Sequence, residues 1–166
     1  KLLAIQYPKR VKSLILGGSI VKLNAKSKSL LFVGNKLKRM VPYMWLYRIF
    51  AAIILPKRNH SSSRKLFIHE AMKMDQNEFL KWFRLTSELP MILKTIRNTS
   101  PAIPTLYIQG AQDHMFLKEL ISTERGPQSS LEVIPACGHV VNVEKPDVFN
   151  SISISGYHMQ EAGATA

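Results

Sequence analysis

Pro104-Thr105-Leu106-Tyr107-Ile108-Gln109-Gly110-Ala111-Gln112-Asp113 decides how this chain folds. A proline opens the run, aliphatic and aromatic residues fill it, and a glycine closes it, which is the pattern of a short strand buried on both faces. Asp113 follows directly after the strand's carboxyl end. Further on, Ser130-Leu131-Glu132-Val133-Ile134-Pro135 alternates polar and apolar residues, as a strand with one buried face does. It leads into Ala136-Cys137-Gly138-His139. Leu117 to Thr123, between the two strands, has helical spacing. A last helix is expected from Glu144 to about Ser155, with Pro146 in its first turn, where a missing N–H costs nothing. Strand, helix, strand, helix implies a parallel sheet with right-handed crossovers.

Toward the N-terminus, Leu2-Leu3-Ala4-Ile5 reads as the last turns of a helix ended by Tyr7-Pro8. Val11 to Leu16 is then a strand closed by Gly17-Gly18-Ser19. A chain that opens inside a helix leads us to expect a preceding part, and we expect Val11–Leu16 to be a central strand with a partner there. The stretch between is helical in pattern. Met40, Trp45, Leu46, Ile49, Phe50, Ile53 and Ile54 recur near a 3.6-residue period, and Glu78 to Leu89 forms a second such stretch. Pro56 to Arg64 reads as a polar loop. The expected organisation is therefore a core segment 1–21, a helical segment 22–100, a core segment 101–156 and a frayed tail 157–166.

The apolar fraction of 46% and charged fraction of 20% mark a globular chain. Cys137 is the only cysteine, which excludes an internal disulfide and a multi-thiolate metal site, and fits a reducing, cytoplasmic setting. Val41 to Leu55 is the longest apolar run, but Pro42 and Arg48 interrupt it and it is too short to be a transmembrane segment. The formal net charge is +12, and all of the excess lies between Lys22 and Arg97, with 16 Lys+Arg against 4 Asp+Glu. A solvated face that keeps the protein soluble accounts for it. A basic surface-binding module, for nucleic acid or acidic lipid, is the alternative, but no specific nucleic-acid motif accompanies the charge.

Asp113 and His139 each follow a strand, and in parallel α/β sheets ligands bind beyond the carboxyl ends of strands. One strand–helix–strand unit separates them, which brings their loops side by side. An Asp beside a His is the orienting pair of a nucleophile-activating triad: the carboxylate fixes the imidazole tautomer and stabilises the imidazolium. Read singly, an Asp after a strand is a turn or cap residue and a lone His is structural.

Two motifs carry a resemblance. Ile103 to Asp113 resembles the P-x-L-x-I-x-G-x-x-D strand and acid loop of the α/β-hydrolase fold family. Val133-Ile134-Pro135-Ala136-Cys137-Gly138-His139-Val140-Val141-Asn142-Val143-Glu144-Lys145-Pro146 resembles its I-P-x-x-G-H-x-x-x-x-E-x-P histidine loop. Leu3 to Val11 and Leu14 to Ser19 are similar to the end of the helix after the nucleophile and the next strand. The match covers both flanks of the chain, around a divergent middle where the family inserts a lid, and is closest to the small esterase and C–C-bond hydrolase group.

The resemblance implies an α/β fold: the C-terminal part of an α/β-hydrolase parallel sheet with an inserted helical lid. It implies Asp113 as triad acid and His139 as general base, Gly138 as the residue that lets the loop turn tightly, and structural roles for Glu144 and Pro146. Trp45, Phe50, Trp82, His114 and Val140 are candidate substrate-binding residues, although aromatics at helical spacing are core by default and His114 also reads as a loop-surface residue. Cys137 reads as a small buried filler. The family's serine sits in a G-x-S-x-G elbow, which does not occur here; Gly17-Gly18-Ser19-Ile20-Val21 lacks the pattern, and Ser19 reads as a loop residue. The resemblance places the nucleophile upstream of Lys1. The expected parent activity is hydrolysis of a small-molecule acyl substrate, an ester, thioester or related bond, with no cofactor and no metal, this chain alone being inactive and needing the N-terminal half of the fold or self-association. A non-catalytic hydrolase-like protein that binds a ligand or partner is the rival reading.

Overall fold

Thr105–Gly110 forms β2, the middle strand of a three-stranded parallel sheet in the order β1-β2-β3. A computed structural model describes residues 1–99, 103–123 and 126–164 of the chain. β1 is Leu14–Gly17 and β3 is Ser129–Ile134. In register, Leu16, Tyr107 and Leu131 stand side by side across the three strands. All six residues of β2 are buried, and strand alternation divides them between two cores. Leu106 and Ile108 pack with Ile134, Cys137 and Val141 on one face, Tyr107 with Val21 and Leu120 on the other.

Helices cover both faces and fill the chain between β1 and β2. α1 (Leu2–Gln6) precedes β1, and α2 (Ala25–Leu37), α3 (Tyr43–Ile54), α4 (Ser61–Ala71), α5 (Gln76–Leu85) and α6 (Leu89–Asn98) lie between β1 and β2. α7 (Leu117–Ser122) joins β2 to β3, and α8 (Val141–Glu144) and α9 (Pro146–Ala164) follow β3. The α2–α6 segment has its own aromatic core. Leu46, Phe79 and Phe83 are buried there, with the Phe79 and Phe83 ring centroids 5.3 Å apart and Tyr43 5.7 Å from Phe79.

Four sequence expectations shift. The strand expected from Val11 begins at Leu14, because Pro8–Arg10 makes a 3₁₀ turn that Val11 ends. The polar stretch Pro56–Arg64 is not all loop: Arg58–His60 is a 3₁₀ turn and α4 starts at Ser61, with His60 and Ser63 buried. The helical stretch Glu78–Leu89 divides, since α5 ends at Leu85 and Pro90 sits in the first turn of α6. The tail expected to fray is helical as far as the described residues go: α9 continues through Gly156, which is buried, to Ala164. Good helix formers such as Met159 and Gln160 outweigh the break that a lone glycine suggests.

The histidine loop crosses the carboxyl end of β2 so closely that Gly110 has no room for a side chain. A Cβ there would overlap the carbonyl oxygens of Gly138 and Cys137. The Gln112 N–H donates to Cys137 O at 2.8 Å, and the Ala111 N–H to Ile134 O at 2.9 Å, so the crossing is fixed backbone to backbone. Gly110→Ala must push the loop off the strand. We expect a loss of about 1–3 kcal/mol or more, read as a fall in thermal midpoint of about 2–4 °C per kcal/mol. An unchanged midpoint by circular dichroism would contradict the crossing.

Candidate active site

The crossing carries His139 from β3 over β2 to Asp113. His139 Nδ1 lies 2.7 Å from Asp113 Oδ2. The carboxylate is fully taken up: Oδ1 accepts the backbone N–H groups of Met115 at 3.1 Å and Phe116 at 3.0 Å, and Oδ2 accepts Gln109 Nε2 at 2.5 Å beside His139. Asp113 is only 2% exposed. Burial by itself would push its carboxyl up, but the His139 hydrogen bond and charge, the Phe116 N–H and the Gln109 amide outweigh it, so the group sits below its ordinary value of 3.8. An ionised carboxylate only accepts hydrogen bonds, so Nδ1 of neutral His139 carries the ring proton and Nε2 holds a lone pair. The Phe116 ring packs 5.0 Å from the imidazole, centroid to centroid, and the His139 side chain keeps 19% exposure.

The histidine loop is braced from two directions. Glu144 accepts the Gly138 N–H at 2.8 Å on Oε2 and the Val140 N–H at 3.2 Å on Oε1, bracketing His139. From the α2–α6 segment, Asn59 Nδ2 donates to Ala136 O at 3.1 Å and to Gln112 Oε1 at 3.0 Å. Fully buried His60 places Nε2 2.9 Å from Gln112 Oε1 and 3.5 Å from Glu144 Oε2. Two acceptors at Nε2 assign it the proton, leaving His60 Nδ1 a buried acceptor with no hydrogen-bond partner among the described residues. Asn24, the N-cap of α2, donates to Met115 O at 2.7 Å, so the acid loop is held by the same helical segment.

Comparison with solved structures finds proteins of similar fold. The chain superposes on an α/β-hydrolase enzyme from a Medee basin deep-sea metagenome library with a TM-score of 0.72 at 18% identity, covering 95% of this chain and 60% of that one. A thermophilic esterase matches with a TM-score of 0.70 at 21% identity and the same coverage. A meta-cleavage product hydrolase from Pseudomonas fluorescens matches at 0.62 and 20%, again over 95% and 60%. The chain has the fold of the C-terminal portion of an α/β-hydrolase. It spans about 60% of the length of these structures. No protein-family model matches the sequence, and no curated protein does.

Within this fold the sequence candidates fall into distinct places. Asp113 and His139 come together at the carboxyl ends of β2 and β3. Val140 is half-buried beside His139, and His114 is exposed on the acid loop. Phe50 packs inside the helical segment, its ring centroid 6.2 Å from that of Phe83. Trp45 and Trp82 are more than half exposed. Ser19 lies in the exit turn of β1, its N–H donating to Gln109 Oε1 at 2.8 Å. Cys137 is buried and its thiol is pushed up to about 11, first by burial and then by the charge of Glu144. Among the described residues no group of three or more His, Cys, Asp or Glu is placed to hold a metal ion.

The turn in the histidine loop is not made by Gly138, against expectation. The left-handed residue is Ala136, at φ 52°, a conformation that costs a non-glycine residue; its carbonyl is held by Asn59. Gly138 serves space instead: a Cβ would meet Glu144 Oε1 at 2.7 Å and His60 Cε1 at 2.9 Å. Gly18, at φ 58°, lets the β1 turn touch the His139 carbonyl.

Asp113 makes folding stability pH-dependent with a definite sign. A carboxyl with a lowered folded pKa contributes stability that is fully present above its unfolded value and lost as pH falls through the folded one. The stability gap between the wild type and Asp113→Asn should therefore be widest above about pH 5 and narrow steadily in more acid solution. Urea midpoints measured from neutral to acid pH test this; a gap of constant size would show that the carboxylate gains nothing from its four donors.

Proposed function

We propose that Asp113 and His139 are the acid and the base of a Ser-His-Asp triad, and that the whole protein hydrolyses an ester, thioester or related acyl bond of a small molecule. The observation that carries this reading is the 2.7 Å contact of a buried, ionised carboxylate with an imidazole whose side chain remains partly open to solvent. The likeness of fold to an esterase and to a meta-cleavage product hydrolase supports it.

The chemistry follows from the tautomer. His139 Nε2 takes the serine hydroxyl proton as Oγ attacks the acyl carbon. The imidazolium, stabilised by Asp113, then gives that proton to the leaving alcohol or thiol. Water attacks the acyl-enzyme in the second half, losing its proton to His139, which returns it to the departing serine oxygen. We place the serine in a G-x-S-x-G elbow of an N-terminal part of the fold, paired along the side of β1 that faces away from β2. In this reading α2–α6 form the lid, and Trp45, Phe50, Trp82, His114 and Val140 border the path of the acyl substrate.

The 166-residue chain assayed alone with p-nitrophenyl acetate is expected to match an imidazole control. Supplying the elbow-bearing part in trans, or in one longer chain, should give turnover that His139→Ala lowers about 10⁴-fold or more. Turnover by the chain alone, abolished by His139→Ala, would overturn the division of the triad.

The unpaired side of β1 gives a separate expectation. Among the described residues β1 pairs only with β2, and Leu14, Ile15 and Leu16 beside the open edge are only half-buried. Apolar open edges recruit other strands. Light scattering at micromolar concentration should find dimers or larger species that resolve when the N-terminal part is added. A monodisperse monomer that unfolds cooperatively would overturn the placing of that part.

A further inference from the structure

Gln109 is the last inward-facing side chain of β2, fully buried, on the same face of the sheet as Tyr107. An amide in such a place is costly unless both its ends are hydrogen-bonded. Both are: Oε1 accepts the Ser19 N–H at 2.8 Å and Nε2 donates to Asp113 Oδ2 at 2.5 Å. The orientation has no alternative. Turned over, the amide would set N–H against N–H at Ser19 and oxygen against a carboxylate oxygen at Asp113.

We propose, resting on the triad reading, that Gln109 is a positioning residue for the pair: it fixes the Asp113 oxygen that faces His139 and holds His139 less basic than the carboxylate alone would make it. Three observations lead there. First, Oδ2 is shared by two side-chain donors, Gln109 and His139, whereas Oδ1 is held by backbone N–H groups of its own loop. Among the described residues Gln109 is therefore the one donor besides His139 that comes from outside the acid loop and bears on the Oδ2 side of the carboxylate. Second, a hydrogen bond donated to a carboxylate draws charge from it. Removing it concentrates charge on Oδ2, stabilises the imidazolium and raises the His139 pKa. Third, the far end of the amide is pinned to Ser19, next to Gly18, whose turn touches the His139 carbonyl. The exit of β1 thereby sets the reach of the amide, which joins it to the exit of β2, and Asp113 carries the chain of bonds on to His139 after β3. Of the other charged groups at the histidine loop, Lys145 is exposed, and Glu144 is occupied by the Gly138 and Val140 N–H groups and by His60, not by the His139 ring.

The test reads His139 directly and needs neither nucleophile nor substrate. Diethyl pyrocarbonate modifies neutral imidazole, so the pH midpoint of its rate at each histidine, followed by peptide mass spectrometry, gives that histidine's pKa in whatever oligomer the chain forms. Gln109→Met keeps the length and removes the amide; Gln109→Glu keeps the acceptor for Ser19 and adds a carboxyl beside Asp113. We expect the His139 midpoint to rise by about half a pH unit or more in Gln109→Met and further in Gln109→Glu, with exposed His69 and His158 unmoved. Buried His60 reports folding in the same digest, since it reacts as fast as His69 only in an unfolded chain. Should Gln109→Met unfold, Gln109→Glu decides. An unmoved His139 midpoint in a folded variant overturns the proposal, as does loss of the fold in both variants, which would make the amide purely structural. Absence of hydrolysis in the assembled protein with a shifted midpoint would sink the triad reading and leave the tie between Gln109 and His139 standing.

Discussion

The contact between two stretches of backbone at Gly110 governs the rest of the site. Neighbouring strands lie about 4.8 Å apart, so a histidine that merely followed β3 would stand over its own strand. The loop instead lies across the end of β2, with the Cys137 and Gly138 carbonyls in the space a side chain would fill. Only then does His139 reach Asp113 on one side and the turn at Gly18 on the other. A glycine at the end of a buried strand is here a steric requirement of the Asp113–His139 contact.

That crossing forces polar groups into the interior, and the molecule satisfies them almost completely. Asp113 has four donors and Glu144 two backbone donors plus the His60 ring. In a low-dielectric interior a satisfied network is rigid, and a broken one is costly. The bare Nδ1 of His60 is the exception in this network.

The sheet and the Asp113–His139 pair were legible in the sequence because both depend on local pattern: a buried apolar run with a glycine exit, an alternating strand, and a polar residue just past each. The bracing was not. Asn24, Asn59, His60, Gln109 and Gln112 are polar residues, four of them in polar surroundings, and nothing local distinguishes a buried amide from a solvated one; only the arrival of a partner far along the chain does. Gly138 was misread for a related reason. A glycine suggests unusual backbone angles, yet its neighbour Ala136 takes the left-handed conformation, and Gly138 is small because His60 and Glu144 press on it. The end of α9 differs too: a tail expected to fray as a chain end continues the helix to Ala164.

The insertion of α2–α6 between two paired strands also bears on how such a chain changes over evolutionary time. Asn24 and Met115, which touch, are 91 positions apart. Closing a loop of that size carries an entropy that grows only with the logarithm of its length, about 0.6 kcal/mol for each doubling. Adding or deleting a helix there alters the closure term very little. What constrains the insertion is its few points of attachment, Asn24 on the acid loop and Asn59 and His60 on both loops. The walls between those points are free to diverge while the pair beneath them keeps its geometry.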